Sequence, residues 1–206
     1  MSASARPLVI VIGGATGTGK STVATEAAYR LGITRLTSTD SIRQTMRAFF
    51  SREFMPTIHY SSFEAGAAVP DADDPLTAGF IEQSRNVLVG VRASIDRALE
   101  EGWSIILEGV HLVPGLLPVY VEGAVFCPCV LSIDDESTHA QHFLSRSDGS
   151  ERPLANYLDH FAEIRRLQRF IVGRAEREGV PVIENEDAEQ TASVLLELVE
   201  RAGAWT

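Results

Sequence analysis

Lysine is almost absent from this chain of 206 residues: Lys20 is the only one, and every other basic side chain among the 18 is an arginine. Acidic residues number 28, so the formal net charge is −10, and no segment forms a basic stripe. Because nucleic acids and acidic membrane surfaces bind basic protein surfaces, we expect neither to be a partner. The Asn-Lys-x-Asp guanine motif of GTPases also requires a lysine, and Lys20 follows a glycine, which excludes that motif.

Cysteines and long apolar runs are also scarce. Cys127 and Cys129 are the two cysteines, and in a strand their side chains would share one face, which does not favour a disulfide between them. We expect both to be small buried thiols. No apolar run reaches the ~18 residues that a membrane-spanning helix needs. No cleavable hydrophobic leader is recognisable before the first strand, so we expect a cytoplasmic protein.

The most informative segment is the glycine-rich run at residues 13–22, which follows the apolar run Leu8–Ile12. It fits G-x-x-x-x-G-K-[ST], the phosphate-binding loop. Glycines allow a tight turn whose N–H groups surround phosphate oxygens, and the helix that follows adds its N–H groups and the positive end of its dipole. The predicted ATP-binding residues are Gly14, Ala15, Thr16, Gly17, Thr18, Gly19, Lys20, Ser21 and Thr22. The alternative is a strand-to-helix turn that binds no ligand.

The rest of the chain alternates apolar segments with segments of helical periodicity, and its 45% apolar content suffices for a full core. Strands are predicted near 8–12, 35–38, 103–109, 125–133 and 180–183. Helices are predicted over 20–31, 40–50, 75–101, 135–144, 154–178 and 187–202, with Thr39 or Asp40 capping the second. Strands that alternate with helices predict a parallel sheet covered on both faces. We therefore expect a single α/β domain over 1–206, with five parallel strands in the P-loop NTPase fold of the nucleoside-monophosphate-kinase type.

Two segments interrupt this regular pattern. Residues 51–74 predict a loop or short helices on the substrate side, because long irregular segments in compact domains are often functional. Residues 145–153 form a polar loop between two helices, where a lid would close over the nucleotide. Arg146 and Arg152 in that loop are candidate catalytic residues that would add positive charge in the transition state. The alternative for this loop is an ordinary solvated connection.

Two carboxylates are predicted at the carboxyl edge of the sheet, where open α/β sheets bind their ligands. Asp40 follows the second strand, and Glu108 ends the third. One carboxylate could position and deprotonate an acceptor hydroxyl, and the other could support Mg²⁺ with the Ser21 hydroxyl. We favour Asp40 as the catalytic and substrate-binding carboxylate, and Ser21 and Glu108 as the metal-binding pair. Glu108 is also a candidate substrate ligand. The alternatives are an ordinary helix cap at Asp40 and a solvated strand end at Glu108.

Three basic or imidazole side chains are candidate substrate ligands. Arg43 lies one helical turn after Asp40 and could bind a carboxylate or phosphate, although a surface ion pair is nearly as plausible. His59 lies in the irregular segment, and His111 follows the third strand. Either histidine could equally serve as a structural hydrogen-bonding group.

Several motifs, taken together, resemble 2-phosphoglycerate kinase. They are residues 13–22, 38–43, 59–63, 108–115, 157–161, 164–165 and 181–185. The likeness runs through nearly the whole chain in order, and Glu108–Gly115 is its most distinctive stretch. The resemblance implies an ATP- and Mg²⁺-dependent kinase that makes 2,3-bisphosphoglycerate. The archaeal enzymes of this family carry an additional N-terminal region, whereas this chain starts directly at the first strand.

The expected function is transfer of the ATP γ-phosphoryl group to a hydroxyl of a small anionic metabolite, with Lys20 as a catalytic residue. A related alternative is the same chemistry on another small alcohol, such as a sugar acid or a natural-product intermediate. An alternative of a different class is a nucleotide-dependent switch or binding module. The expected partner is the small-molecule substrate, and a homodimer is possible.

Overall fold

A five-stranded parallel sheet lies at the centre of the fold. The structure is a computed structural model that describes residues 6–118, 120–146 and 154–204. The strands are β1 (Leu8–Gly14), β2 (Leu36–Ser38), β3 (Ile105–Glu108), β4 (Val125–Ser132) and β5 (Val182–Glu184). Their order in the sheet is β2-β3-β1-β4-β5, and every neighbouring pair is parallel. The expected five-stranded parallel sheet is confirmed.

Helices connect the strands and cover the sheet. Within the described residues they are α1 (Lys20–Leu31), α2 (Thr39–Phe49), α3 (Pro75–Glu100), α4 (Glu136–Arg146), α5 (Leu154–Asp159), α6 (Phe161–Glu178) and α7 (Ala188–Ala204). The irregular segment between α2 and α3 contains two short 3₁₀ helices, Pro56–His59 and Ala65–Ala68, as the loop-or-short-helices prediction allowed. None of the described helices is long and apolar enough to cross a membrane.

The core lies on both faces of the sheet, as the unbroken apolar run of β1 predicts. Ile10 and Ile12 pack against α1 and α7 on one face, whereas Val9 and Val11 point to the other face, towards α3. The two cysteines are free and buried in the first of these clusters. Burial raises the pKa of the Cys127 thiol to about 11, and it also raises the pKa of Cys129. Both are small buried thiols, as predicted.

Helix boundaries differ from the sequence prediction by one or two residues at several ends, and two differences have a structural reason. α2 is capped by Ser38, whose side chain accepts a hydrogen bond from the Ser41 N–H, and not by Thr39 or Asp40. The single helix expected over 154–178 is interrupted at His160 and forms α5 and α6. The His160 ring donates through Nδ1 to the Asn156 carbonyl and packs against Phe63, 5.3 Å between ring centres. These tertiary contacts accompany the interruption, and helical periodicity cannot reveal them.

The strand register brings the polar strand ends to one edge of the sheet. Glu108 at the end of β3 pairs with Ser38 of β2 and with Ile12 of β1. The phosphate loop therefore begins beside Glu108, and α2 begins on its other side. This arrangement sets the carboxylates and the glycine-rich loop around one crevice.

Candidate active site

The loop between β1 and α1 has a backbone that only glycine adopts readily. Gly14, Gly17 and Gly19 have φ angles of 140°, 88° and 77°. A Cβ on Gly14 would lie 2.5 Å from the Leu131 carbonyl oxygen. Gly19 precedes α1, and no side chain caps that helix, so its first N–H groups face the loop. A tight glycine loop that opens an uncapped helix fits a phosphate group.

Lys20 extends across this loop. Its side chain is buried, and Nζ donates to the Ala15 carbonyl oxygen at 2.6 Å and to Thr18 Oγ1 at 3.4 Å. These contacts hold the ammonium group at the centre of the loop. The position suits a charge that interacts with phosphate oxygens.

Ser21 and Glu108 are brought together, as the metal-site prediction requires. Ser21 Oγ donates to Glu108 Oε1 at 3.1 Å, and the Glu108 side chain is buried. Hydroxyl and carboxylate oxygens are suitable ligands for Mg²⁺. Among the described residues, no group of three or more His, Cys, Asp or Glu side chains could hold a metal ion by itself. Phosphate oxygens would therefore complete the coordination, as is usual for Mg²⁺ in kinases.

An open cavity of about 350 Å³ lies beside the phosphate loop. It contains three of the predicted substrate-side residues, Asp40, Arg43 and His59, together with Thr16 of the loop. It is lined by Thr16, Asp40, Arg43, Arg47, His59, Tyr60, Ser61, Ser62, Phe63, Glu64, Val110, Asn156 and Tyr157. The irregular segment thus forms much of the wall, and its predicted place on the substrate side remains a prediction. The cavity has a suitable size for a small metabolite.

Arg43 is anchored within the protein. Its Nη1 donates to the carbonyl oxygens of Ile58, at 3.1 Å, and Tyr60, at 2.9 Å. Its Nη2 and Nε lie 3.3 and 3.4 Å from Asp40 Oδ1. Only 8% of the Arg43 side chain is exposed, against 50% for Asp40. The pair therefore fixes the substrate-side segment to α2 while the Asp40 carboxylate faces the cavity.

His111 does not line the cavity. It is fully buried, with Nε2 3.0 Å from Gln83 Oε1 and Nδ1 2.8 Å from Thr39 Oγ1. The Gln83 amide nitrogen donates to the Thr57 and Tyr60 carbonyls, so Gln83 Oε1 accepts from the histidine, and the neutral ring accepts from the Thr39 hydroxyl. Burial lowers the pKa of His111 to about 3. We therefore revise His111 from a substrate ligand to a structural link between α2, α3 and the substrate-side segment.

His59 is half-buried and lines the cavity, and its Nε2 donates to the Phe50 carbonyl at 3.0 Å. Of the two lid arginines, Arg146 is the last residue of α4, and Arg152 lies outside the described residues. Most of the predicted lid, 147–153, also lies outside them. The roles predicted for these arginines remain predictions.

Sequence reasoning missed several residues around the site. Arg47 lines the cavity one helical turn after Arg43, so its i,i+4 spacing was an available signal. His139 and His142 contact the phosphate loop from α4, and their spacing of three residues places them on one helix face. Asn185, which follows β5, also contacts the loop. Residues 181–185 are among the motifs of the resemblance, but that motif assigned no role to the asparagine.

The chain is similar in sequence to curated archaeal proteins named 2-phosphoglycerate kinase. It is 41% identical to that of Thermococcus kodakarensis, over 92% of this chain and 65% of the relative. The values for Pyrococcus horikoshii are 42%, 93% and 64%, and for Methanothermobacter thermautotrophicus 43%, 92% and 64%. The chain thus spans slightly less than two thirds of the length of these relatives. The resemblance seen in the motifs is confirmed, while no family profile matches the chain.

Solved structures show the same fold at low sequence identity. A sugar kinase from Janibacter superposes with a TM-score of 0.60 at 18% identity, covering 96% of this chain and 97% of that structure. A shikimate kinase from Acinetobacter baumannii gives 0.55 at 15% identity, with coverages of 96% and 95%. A gluconokinase from Sinorhizobium meliloti gives 0.54 at 15%, with 96% and 94%. The expected P-loop kinase fold is confirmed.

Proposed function

We propose that this chain is an ATP-dependent kinase that transfers the γ-phosphoryl group to a hydroxyl of a small anionic metabolite, with 2-phosphoglycerate as the first candidate. One observation carries the proposal. The cavity joins the phosphate loop, through Thr16, to a half-exposed carboxylate, Asp40, and to positively charged side chains. A phosphoryl donor, a base and an anionic acceptor can meet there.

Different residues of this chain have different proposed roles in phosphoryl transfer. The loop amides and Lys20 hold the phosphates and stabilise the charge that spreads over their oxygens. Ser21 and Glu108 hold Mg²⁺, which supplies further positive charge to the phosphate oxygens when it is bound. Asp40 orients the acceptor hydroxyl and accepts its proton. Arg146, at the end of α4, and Arg152, in the predicted lid segment, are proposed to add positive charge in the transition state.

An anionic acceptor accounts for the charges around the cavity. Arg43, Arg47 and His59 line it, against the carboxylates of Asp40 and Glu64, in a chain whose net charge is −10. Arginine binds carboxylates and phosphates through its fork of N–H groups. The names of the archaeal relatives support 2-phosphoglycerate in particular. A related hydroxy acid fits the same chemistry.

Two alternatives make different predictions. A kinase for another small alcohol, such as a sugar acid, would share the phosphate loop and Asp40 but would prefer a different acceptor. A nucleotide-dependent switch or binding module would hydrolyse ATP slowly and respond to a protein partner in place of an acceptor. The substrate-sized cavity next to the loop favours a kinase over a switch.

The test is ADP release by the 206-residue chain with MgATP and a panel of acceptors: 2-phosphoglycerate, 3-phosphoglycerate, glycerate, gluconate and an uncharged sugar. We expect 2-phosphoglycerate to give the highest kcat/KM. A highest value for the uncharged sugar would refute the anionic acceptor. ATP hydrolysis that none of these acceptors accelerates would refute all five as substrates, and stimulation of that hydrolysis by a protein partner would favour the switch.

Arg47→Gln tests the anion contact without removing the anchor made by Arg43. Arg47 is exposed at the cavity, and its described hydrogen bond goes to the neighbouring Gln44 side chain. We expect the KM for the anionic acceptor to rise about tenfold, which corresponds to ~1.4 kcal/mol. Arg97→Gln is the matched control, because Arg97 is an exposed helical arginine that does not line the cavity. Equal effects of the two variants would exclude a specific role for Arg47.

A further inference from the structure

Three side chains from outside the phosphate loop hold three consecutive carbonyl groups of that loop. His139 Nε2 is 2.8 Å from the Thr16 oxygen, and His142 Nδ1 is 3.0 Å from the Gly17 oxygen. Asn185 Nδ2 is 3.0 Å from the Thr18 oxygen. Because a carbonyl oxygen only accepts, each of these side-chain nitrogens donates. The loop is thus fastened by both α4 and the segment that follows β5.

Fastening a carbonyl fixes the direction of the next N–H group. A peptide unit is planar, and in the trans form its C=O and N–H point to opposite sides. The described residues contain no cis peptide bond. Holding the oxygens of residues 16, 17 and 18 from outside therefore turns the N–H groups of residues 17, 18 and 19 the other way, towards the inside of the loop. A phosphate-binding loop offers such N–H groups to its anion. The Thr18 N–H also makes a long contact, 3.4 Å, with the Ala15 carbonyl oxygen of the same loop.

A second residue, Arg165, determines which ring nitrogen of His139 carries the hydrogen. Arg165 Nη1 donates towards His139 Nδ1 at 3.3 Å, which leaves Nε2 to carry the ring hydrogen that Thr16 accepts. Arg165 is itself buried and donates to the carbonyl oxygens of Ile133, at 2.5 Å, and Asp134, at 2.8 Å. The ring is neutral near pH 7, because burial lowers the pKa of His139 to about 4. Its tautomer is therefore set by the fold.

The same face of α4 is packed directly against the loop. A Cβ on Gly17 would lie 2.4 Å from Phe143 Cζ and 2.9 Å from His139 Nε2. The His139 and Phe143 rings stack with 5.5 Å between their centres. On the other side, a Cβ on Gly19 would meet the Asn185 amide nitrogen. The close fit leaves no space for the loop to turn its peptide planes without moving these side chains.

We propose that His139, His142 and Asn185 are positioning residues that hold the phosphate loop in the conformation that binds triphosphate. The inference rests on the proposed kinase function. None of the three needs to touch the reacting atoms, since they act through the peptide units of the loop. Preorganised donors do not have to reorient when charge develops, which is the basis of their contribution to catalysis.

The test compares removal of each donor with its conservative replacement. His139→Leu removes the donor, whereas His139→Gln can place an amide nitrogen near the original Nε2. His142→Leu and His142→Asn form the corresponding pair for Nδ1. MgATP affinity is measured by calorimetry, and the thermal unfolding midpoint and kcat are measured in parallel. We expect each leucine variant to weaken MgATP binding about tenfold, and the amide variant to recover to within about threefold of the unchanged protein.

His160→Leu is the matched control. His160 also donates from Nδ1 to a carbonyl, that of Asn156, but has no described contact with the phosphate loop. We expect its MgATP affinity to be unchanged even if its unfolding midpoint falls. If a leucine variant does not fold, the comparison uses the amide variants and Asn185→Ala. We expect Asn185→Ala to bind MgATP about tenfold more weakly, whereas the amide variants keep their affinity to within about threefold.

Failure of the positioning role and failure of the proposed kinase function give different results. If the unchanged protein binds MgATP and phosphorylates an acceptor, but the leucine variants and Asn185→Ala bind MgATP equally well, the positioning role is refuted and the proposed function stands. The role is also refuted if the amide variants fail to recover affinity, or if His160→Leu weakens binding as much. If the unchanged protein binds no MgATP, the proposed function itself fails.

Discussion

Two buried histidines should make this fold sensitive to mild acid. Both His111 ring nitrogens are engaged, one donating to Gln83 and one accepting from Thr39, and a proton on Nδ1 would break the second bond. In His139, Nδ1 already faces the Arg165 guanidinium. Burial lowers the pKa of His111 to about 3 and that of His139 to about 4, from an ordinary value of 6.5. The folded state therefore resists protonation of both rings.

The sign and size of the effect follow from proton linkage. Above pH 7.5 both rings are neutral in the folded and the unfolded chain, so neither affects stability. Below 6.5 the unfolded chain binds protons that the folded chain refuses, so stability falls with pH until the folded pKa is reached. At pH 5 the difference is about 1.5 pH units for each ring, or ~2 kcal/mol each at ~1.4 kcal/mol per unit. The combined ~4 kcal/mol is a large part of the ~5–15 kcal/mol that stabilises a typical domain.

The assay is urea unfolding at pH 7.5, 6.5, 5.5 and 5.0, for the unchanged chain and for His111→Gln and His139→Gln. Each variant removes one titrating ring, so we expect its loss of unfolding free energy between pH 7.5 and 5.0 to be smaller by ~2 kcal/mol. The value at pH 7.5 separately reports the hydrogen bonds and packing lost by substitution. If both variants show the same pH dependence as the unchanged chain, the buried rings are not the acid-sensitive groups.

Three further predictions concern the chemistry at the loop. Lys20→Met should lower kcat by at least ~100-fold, because preorganised charge on the phosphates is lost, and an unchanged rate in the purified variant would refute the active-site assignment. Asp40→Asn should lower kcat by ~100-fold or more with little change in MgATP affinity, because the amide cannot accept the hydroxyl proton; kinetics and calorimetry on one preparation separate this result from a loss of folded protein. Ser21→Ala and Glu108→Gln should each raise the Mg²⁺ concentration for half-maximal activity ~10-fold or more. Titration with Mg²⁺ at fixed ATP measures this concentration, and an unaltered midpoint in both variants would exclude the pair as the metal site.

The sheet and the phosphate loop could be predicted because their signals are local. Leu8–Ile12 is apolar without alternation, as a strand buried on both faces requires, and the spacing of Gly14, Gly19 and Lys20 fits one loop geometry. The ends of parallel strands meet at one edge, so the proximity of Ser21 to Glu108 also followed from the predicted topology. For such features, sequence order and strand direction are sufficient.

The features that the sequence left open or missed depend on contacts between distant segments. His111 follows a strand at the ligand-binding edge, and the sequence left a ligand role and a structural role equally open. Thr39 and Gln83 enclose the ring, and Gln83 lies on a helix 28 residues earlier. Asn185 reaches the phosphate loop across 167 residues of chain. The interruption at His160 likewise accompanies a contact with Phe63. Helical or strand periodicity reports which face is buried, but it does not identify what lies against that face.

Because Arg43 is anchored by other contacts, Arg47 is the better candidate for binding the proposed anionic acceptor. The described hydrogen bonds of Arg43 go to the carbonyls of Ile58 and Tyr60 and, through two nitrogens, to Asp40. Diverting them to a substrate would release the substrate-side segment and would remove the cation that faces the Asp40 carboxylate. Arg47 lies one turn further along α2, is exposed, and lines the same cavity. Arg47 is therefore the side chain that we propose to bind the negative charge of the proposed acceptor, while Arg43 holds both the cavity wall and Asp40 in place.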